Sequence, residues 1–257
     1  MSGNKQFKIW EGVFSSFAET GADNSAFEGD IWINKLTERA ALAKALSQGP
    51  AAVAPITETS DYALPFIAAA IAYRTTPLRI LDFGGGIGTS FFPLVQMLPT
   101  DQPLVFIVVE NKTVCEIGRT MLLGESRIRF QCQLPDDELF DIVHCGSSIE
   151  YVDDWKGMLT RFSRYKPNYL MFTNLPAADN ETFVTAQNYY GKRIPMHFWN
   201  FKEFVLQVES LGYELVLKSR FRGYWREAYP ELPTENFNLQ YRAKYFSQLV
   251  FRRTSGM

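Results

Sequence analysis

Leu78-Arg79-Ile80-Leu81-Asp82-Phe83-Gly84-Gly85-Gly86-Ile87-Gly88-Thr89-Ser90 decides the architecture of this 257-residue chain. Residues 78–83 form a short, mostly apolar run, as expected of a strand buried on both faces. Glycines at 84, 86 and 88 let the backbone bend sharply and let a ligand approach without interference from a Cβ. The stretch after them reads as a helix start, and its free N–H groups carry a partial positive charge that suits a carboxylate. Strand, glycine turn and helix together make the first unit of an open α/β sheet, whose ligands sit at the carboxyl ends of the strands.

The same pattern continues outward from this stretch. Strands are expected at Leu78–Phe83, Leu104–Glu110, Ile128–Gln133, Phe140–Cys145, Tyr169–Thr173, Tyr213–Phe221 and Phe246–Arg252. Helices are expected at Thr89–Met97, Lys112–Leu122, Trp155–Arg164 and Asn200–Leu211, the last ended by Gly212. This alternation predicts a Rossmann-like α/β fold: a seven-stranded, mostly parallel sheet with helices on both faces. No helix separates the last two strands, so the final one is expected to return antiparallel. Residues 1–76 show no convincing strand. Ile31–Leu46 and Asp61–Tyr73 have helical spacing, Ser60 and Asp61 are caps for the second, and Gly49–Pro55 is a loop. The expected organisation is an N-terminal helical cap over 1–76 and a single α/β domain over 77–257.

Glu110 closes the second expected strand, where a carboxylate accepts both hydroxyls of a ribose lying across the sheet edge. A dinucleotide fingerprint counted from Gly84 would need glycine where Thr89 stands, so a nicotinamide oxidoreductase is a poor fit. The spacing Asp82-x-Gly84-x-Gly86-x-Gly88 fits better, with Asp82 either anchoring the turn or meeting a ligand's amino group.

The formal charge of −2, from 26 basic and 28 acidic residues, offers no single-sign field for nucleic acid. No run is long and apolar enough for a membrane span, and no apolar leader opens the chain, so a cytoplasmic location is expected. Cys115, Cys132 and Cys145 are an odd, scattered set, read as reduced and buried, and no metal constellation is visible.

Asp82-x-Gly84-x-Gly86-x-Gly88, Glu110 and Phe140-Asp141-Ile142-Val143 resemble the class I S-adenosylmethionine-dependent methyltransferases. Val108-Val109-Glu110, Ser147-Ser148-Ile149-Glu150-Tyr151, Val184-Thr185-Ala186-Gln187, Ile194-Pro195-Met196-His197-Phe198 and the opening Trp10-Glu11-Gly12-Val13-Phe14 with Phe17 sharpen that likeness. Together they look like a bacterial methyltransferase family associated with surface polysaccharide biosynthesis.

The resemblance implies S-adenosyl-L-methionine as cofactor, held by Asp82, Gly84, Gly85, Gly86, Gly88, Glu110 and Asn111. Gln133 or Leu134 would border the adenine, although an aspartate is more usual near that point. Cys145 and Gly146 would lie near the methionine part. The expected reaction is O-methylation of a sugar or glycan intermediate. The alternative is a methyltransferase-like module that binds without turnover.

A hydroxyl nucleophile profits from a nearby base, and the candidates are His197, His144 and Glu150. His197 ranks first because its segment reads as loop-like and aromatic. Glu150, Tyr151 and Asp153 should face the cleft, and Asp153 or Asp154 is expected to cap the helix at Trp155. Ser147, Tyr151, Gln187 and Tyr190 are the substrate-binding candidates, and Trp10, Phe14 and Phe17 are expected to anchor the N-terminal segment.

Overall fold

The computed structural model describes residues 8–47, 62–72, 75–221 and 232–254. Ser60, Asp61 and the loop 49–55 lie outside the described residues.

In chain order, β1 (Trp10–Phe14) precedes α1 (Asp30–Ser47) and α2 (Ala63–Ile71). The alternating part then runs β2 (Leu78–Phe83), α3 (Phe91–Met97), β3 (Leu104–Val109), α4 (Lys112–Met121), β4 (Ile128–Gln131), β5 (Ile142–Gly146), α5 (Trp155–Arg164) and β6 (Tyr169–Leu175). It is followed by β7 (Ala177–Ala178), β8 (Phe183–Tyr189), β9 (Lys192–Asn200), α6 (Phe201–Glu209), β10 (Tyr213–Phe221) and β11 (Phe246–Arg253).

Seven strands form one sheet in the order β10-β11-β6-β5-β2-β3-β4. The strands β2 to β6 in it pair in parallel, and β11 runs antiparallel to both β6 and β10. This is the expected sheet, including the antiparallel return of the final strand. Side-chain alternation divides its core in two. Leu81, Val143, Phe172 and Phe251 pack on the side that holds Leu159 and Phe162 of α5 and Phe204 of α6. Ile80, Phe106, Val108 and Met171 pack on the side of α2 and α3. Each such side chain contributes about 1.5–3 kcal/mol by leaving water. Because β2 pairs with β3 on one side and β5 on the other, the chain switches direction at β2, the point at whose carboxyl end open α/β sheets bind their ligands.

A second sheet, in the order β1-β8-β9-β7, corrects two expectations. Residues 1–76 do contain a strand: Trp10 pairs with Gln187 and Glu11 with Ala186. A five-residue strand whose partner is so distant in sequence leaves no local periodicity to read. Residues 193–199 are not loop but most of β9, which pairs antiparallel with β8 through the two-residue turn Tyr190-Gly191. Both turn residues have positive φ (47° and 80°), as a type I′ hairpin requires. Trp10, fully buried against Phe198 and Phe246, ties this sheet to the main one and fills the anchoring role expected of it.

Candidate functional site

Three backbone positions build the turn after β2. Gly84, Gly86 and Gly88 have φ of 67°, 58° and 75°, values at which a side chain is strained. A Cβ on Gly84 would stand 2.4 Å from Ser148 Cβ, and one on Gly86 would stand 2.6 Å from Leu36 Cδ2. Asp82 lies fully buried beneath the turn and accepts hydrogen bonds from Ser90 Oγ and from His144 Nδ1 at 2.7 Å. It therefore anchors the turn to the next strand. A Cβ on Gly85 would fall 2.3 Å from Asp82 Oδ2, which explains the glycine there.

His144 Nε2 lies 2.9 Å from Thr173 Oγ1. A carboxylate only accepts, so Nδ1 carries the proton and, in the neutral ring, Nε2 accepts from the threonine hydroxyl. Ser90, Asp82, His144 and Thr173 thus form a buried polar chain across β2, β5 and β6. Both nitrogens of His144 are engaged in bracing Asp82.

Glu110 follows β3, facing the same turn. Its Oε1 accepts from the Gly86 amide at 3.3 Å and its Oε2 from the Asn111 amide at 2.9 Å. Burial raises its pKa, while the two amides pull it down. A carboxylate has about four acceptor sites, so these bonds leave capacity for the two donors of a diol. Asn111 caps α4 through Oδ1 to the Val114 amide, and its Nδ2 donates to the Phe27 carbonyl. Beyond β4, Gln133 is exposed, whereas the Leu134 side chain is buried in the core with Val109 and Phe140.

The segment after β5 holds the most unusual side chain. Ser147, at φ 53°, leads into a 3-10 turn over Ile149–Tyr151. Glu150 is 0% exposed there. Its Oε1 accepts from Ser147 Oγ at 2.8 Å, and its Oε2 has no partner among the described residues. Burial pushes its carboxyl up to about 7. Tyr151 OH donates to Gln187 Oε1 at 2.8 Å. Asp154, not the exposed Asp153, caps α5 by accepting from the Gly157 amide.

His197 meets the end of this segment, with Nε2 3.3 Å from the Asp153 carbonyl, but it sits on the other face of the β8–β9 hairpin from Gln187. In the β8–β9 register Val184 opposes His197 and Gln187 opposes Ile194, so His197 and Gln187 face opposite sides of the hairpin. Its ring packs on Phe17 at 4.6 Å and on Trp199 at 5.3 Å, and burial lowers its pKa. Cys115 and Cys145 are buried as expected. Cys132 is exposed, a correction that follows from its place just past the end of β4 on the sheet's edge.

Several residues here gave no warning in the sequence. Phe27 meets Tyr151 edge-on at 5.0 Å, Trp32 lies 5.4 Å from Tyr189, and Tyr189 lies 4.5 Å from Tyr190. With Leu36 against Gly86 and the Phe27 carbonyl on Asn111, residues 27–36 cross over the glycine turn. This segment covers the turn, while Phe17 packs on His197. Thr173 was legible only as the end of an expected strand, and Asn174, which β6 also includes, lay outside it. Among the described residues, no group of three potential metal ligands gathers, and no helix is long and apolar enough to cross a membrane.

No protein-family model matches the chain, and no curated protein matches it. Solved structures do match it in fold. An S-adenosylmethionine-dependent methyltransferase from Clostridium acetobutylicum aligns with a TM-score of 0.50 at 12% identity, over 79% of this chain and 94% of its own. The [4+2]-cyclase SpnF aligns with a TM-score of 0.55 at 15% identity, over 91% of this chain and 98% of its own. A methyltransferase from Listeria monocytogenes aligns with a TM-score of 0.52 at 8% identity, over 76% of this chain and 100% of its own. The chain therefore has the Rossmann-like methyltransferase fold. At such identities the likeness is one of fold, and function has to be argued from the site.

Proposed function

We propose that this chain is an S-adenosylmethionine-dependent methyltransferase that methylates a hydroxyl of a sugar or glycan intermediate. One observation carries the reading. A turn of three positive-φ glycines sits beside a half-buried carboxylate, Glu110, which bonds the turn's own Gly86 amide. A sulfonium nucleoside with an amino-acid tail matches that pair, the tail running along the glycine turn and the ribose diol against the remaining acceptor positions of Glu110. When bound it supplies an electrophilic methyl group.

The chain's own residues then divide the remaining work. Asp82, braced by His144 and Ser90, holds the turn in shape. Gly84, Gly85, Gly86, Gly88 and Asn111 line it, with Gln133 or Leu134 toward the base and Cys145 and Gly146 toward the tail. Residues 27–36 exclude water from above. Of the three candidate bases, Glu150 is favoured: His144 has both nitrogens engaged, and His197 lies on the far face of the hairpin from Gln187. A carboxyl whose pKa is near neutrality can take the proton of a hydroxyl during the transfer. Ser147, Tyr151, Gln187 and Tyr190 would hold the acceptor.

The test is incubation with methyl-labelled S-adenosylmethionine and a panel of nucleotide sugars and lipid-linked glycans, read by mass. Label in a sugar ether, lost in Glu150→Gln while cofactor still binds, is the expected result. Cofactor binding with no transfer to any acceptor would favour a binding module without turnover.

A further inference from the structure

Two acceptor atoms near the carboxyl edge of the sheet have no partner among the described residues: Glu150 Oε2 and Asn174 Oδ1. Buried acceptors are rarely left unmatched, because each gives up its bonds to water and gains none in return. The segments that carry them run side by side. The Ser147 amide donates to the Thr173 carbonyl at 3.0 Å, and the Ser147 hydroxyl holds Glu150.

The backbone is strained at both points. Ser147 and Asn174 have φ of 53° and 51°, in the left-handed region, and neither is glycine. At Asn174 the cause is visible. Between the pairs Phe172↔Leu249 and Leu175↔Ser247, β6 carries one residue more than β11. Such a bulge takes a side chain out of strand alternation and re-aims it, and bulges concentrate beside active sites.

We propose that Glu150 and Asn174 together form the acceptor subsite, and that the acceptor presents two neighbouring uncharged O–H or N–H donors, one to each free oxygen. The proposal rests on the methyltransferase reading above. The donor on Glu150 is the atom that becomes methylated. Its bond to hydrogen breaks and the proton passes to Glu150 Oε2. Its lone pair forms the new bond to the methyl carbon, and the methyl–sulfur bond of S-adenosylmethionine breaks to leave a neutral thioether. The second donor, held on Asn174 Oδ1, selects which of the two heteroatoms reaches the methyl group. A carboxylate or phosphate at either position would set an anion against Glu150 and bring no donor, so such acceptors are excluded.

The test uses the full chain, methyl-labelled S-adenosylmethionine, and nucleotide-linked hexoses and amino sugars. Each acceptor is paired with its deoxy analogue lacking the neighbouring donor and with its uronic acid. Asn174→Gly removes the side chain and keeps the backbone conformation accessible. Asn174→Asp keeps an accepting oxygen in the same place while adding a charge near Glu150, so the ratio between paired acceptors is compared and not the absolute rate. Wild type is expected to methylate the vicinal-donor member at least about tenfold faster than the deoxy analogue. That preference should fall to near parity in Asn174→Gly and persist in Asn174→Asp, with S-adenosylhomocysteine affinity unchanged in both. Equal turnover of the deoxy analogue by wild type, label on a uronate carboxylate, or no transfer by a protein that binds cofactor overturns the proposal. Failure to bind the cofactor at all overturns the parent reading instead.

Discussion

Replacing Glu150 by glutamine should make the protein more stable at alkaline pH while abolishing methyl transfer. The carboxyl is fully enclosed, and burial moves its pKa from the ordinary 4.5 to about 7. Raising a carboxyl pKa on folding means that the fold favours the protonated form. The associated stability is present in full below about 4.5 and is lost as pH rises through about 7. The gap corresponds to about 3 kcal/mol. A neutral amide at this position carries no charge at any of these pH values, so Glu150→Gln gains on wild type by up to about 3 kcal/mol between pH 4.5 and pH 8. Urea unfolding of both proteins from pH 4.5 to 8.5 measures the difference, and comparing the variant with wild type cancels every other titrating group. A difference that stays flat across that range, or grows on acidification, would refute the argument. Wild-type methyl transfer should fall in parallel as pH drops below about 7, because only the ionised carboxylate takes a proton.

Gly84→Ala should cost about 2–4 kcal/mol, since its Cβ meets Ser148 Cβ at 2.4 Å on a left-handed backbone. Gly124→Ala, at φ 92° with nothing within 4 Å, should cost only about 1–2 kcal/mol; equal losses in thermal unfolding would deny any close contact at the turn. Tyr151→Phe removes the hydroxyl that satisfies buried Gln187 and should cost about 1–3 kcal/mol. An unchanged denaturation midpoint would mean that this bond adds nothing.

Much of the main sheet was legible because parallel strands buried on both faces are short apolar runs punctuated by glycine and polar turns. Leu78–Phe83, Trp155–Arg164 and Tyr213–Phe221 have the boundaries expected of them, and Asp154 caps α5 as its position suggests. The glycine turn was legible too, because its glycines are close together in sequence. What could not be read depends on distant pairing. Trp10–Phe14 is a strand only because β8 lies beside it, and β9 looked like a loop because Pro195 and Gly191 punctuate a hairpin. The choice among bases was hidden for a similar reason. Residue type favoured the two histidines, whereas their partners, Asp82 and Thr173 for His144 and the Asp153 carbonyl with the Phe17 and Trp199 rings for His197, appear only in three dimensions. Asn174 went unnoticed because a bulge depends on register and not on composition.

Calorimetric titration of the purified protein with S-adenosylmethionine and S-adenosylhomocysteine, beside Glu110→Ala, tests the cofactor assignment most directly. Saturable one-to-one binding of both nucleosides is expected, weakened about 10- to 100-fold in the variant because charged hydrogen bonds to the ribose diol are lost. No heat with either nucleoside, or equal affinity after Glu110 is removed, would contradict it.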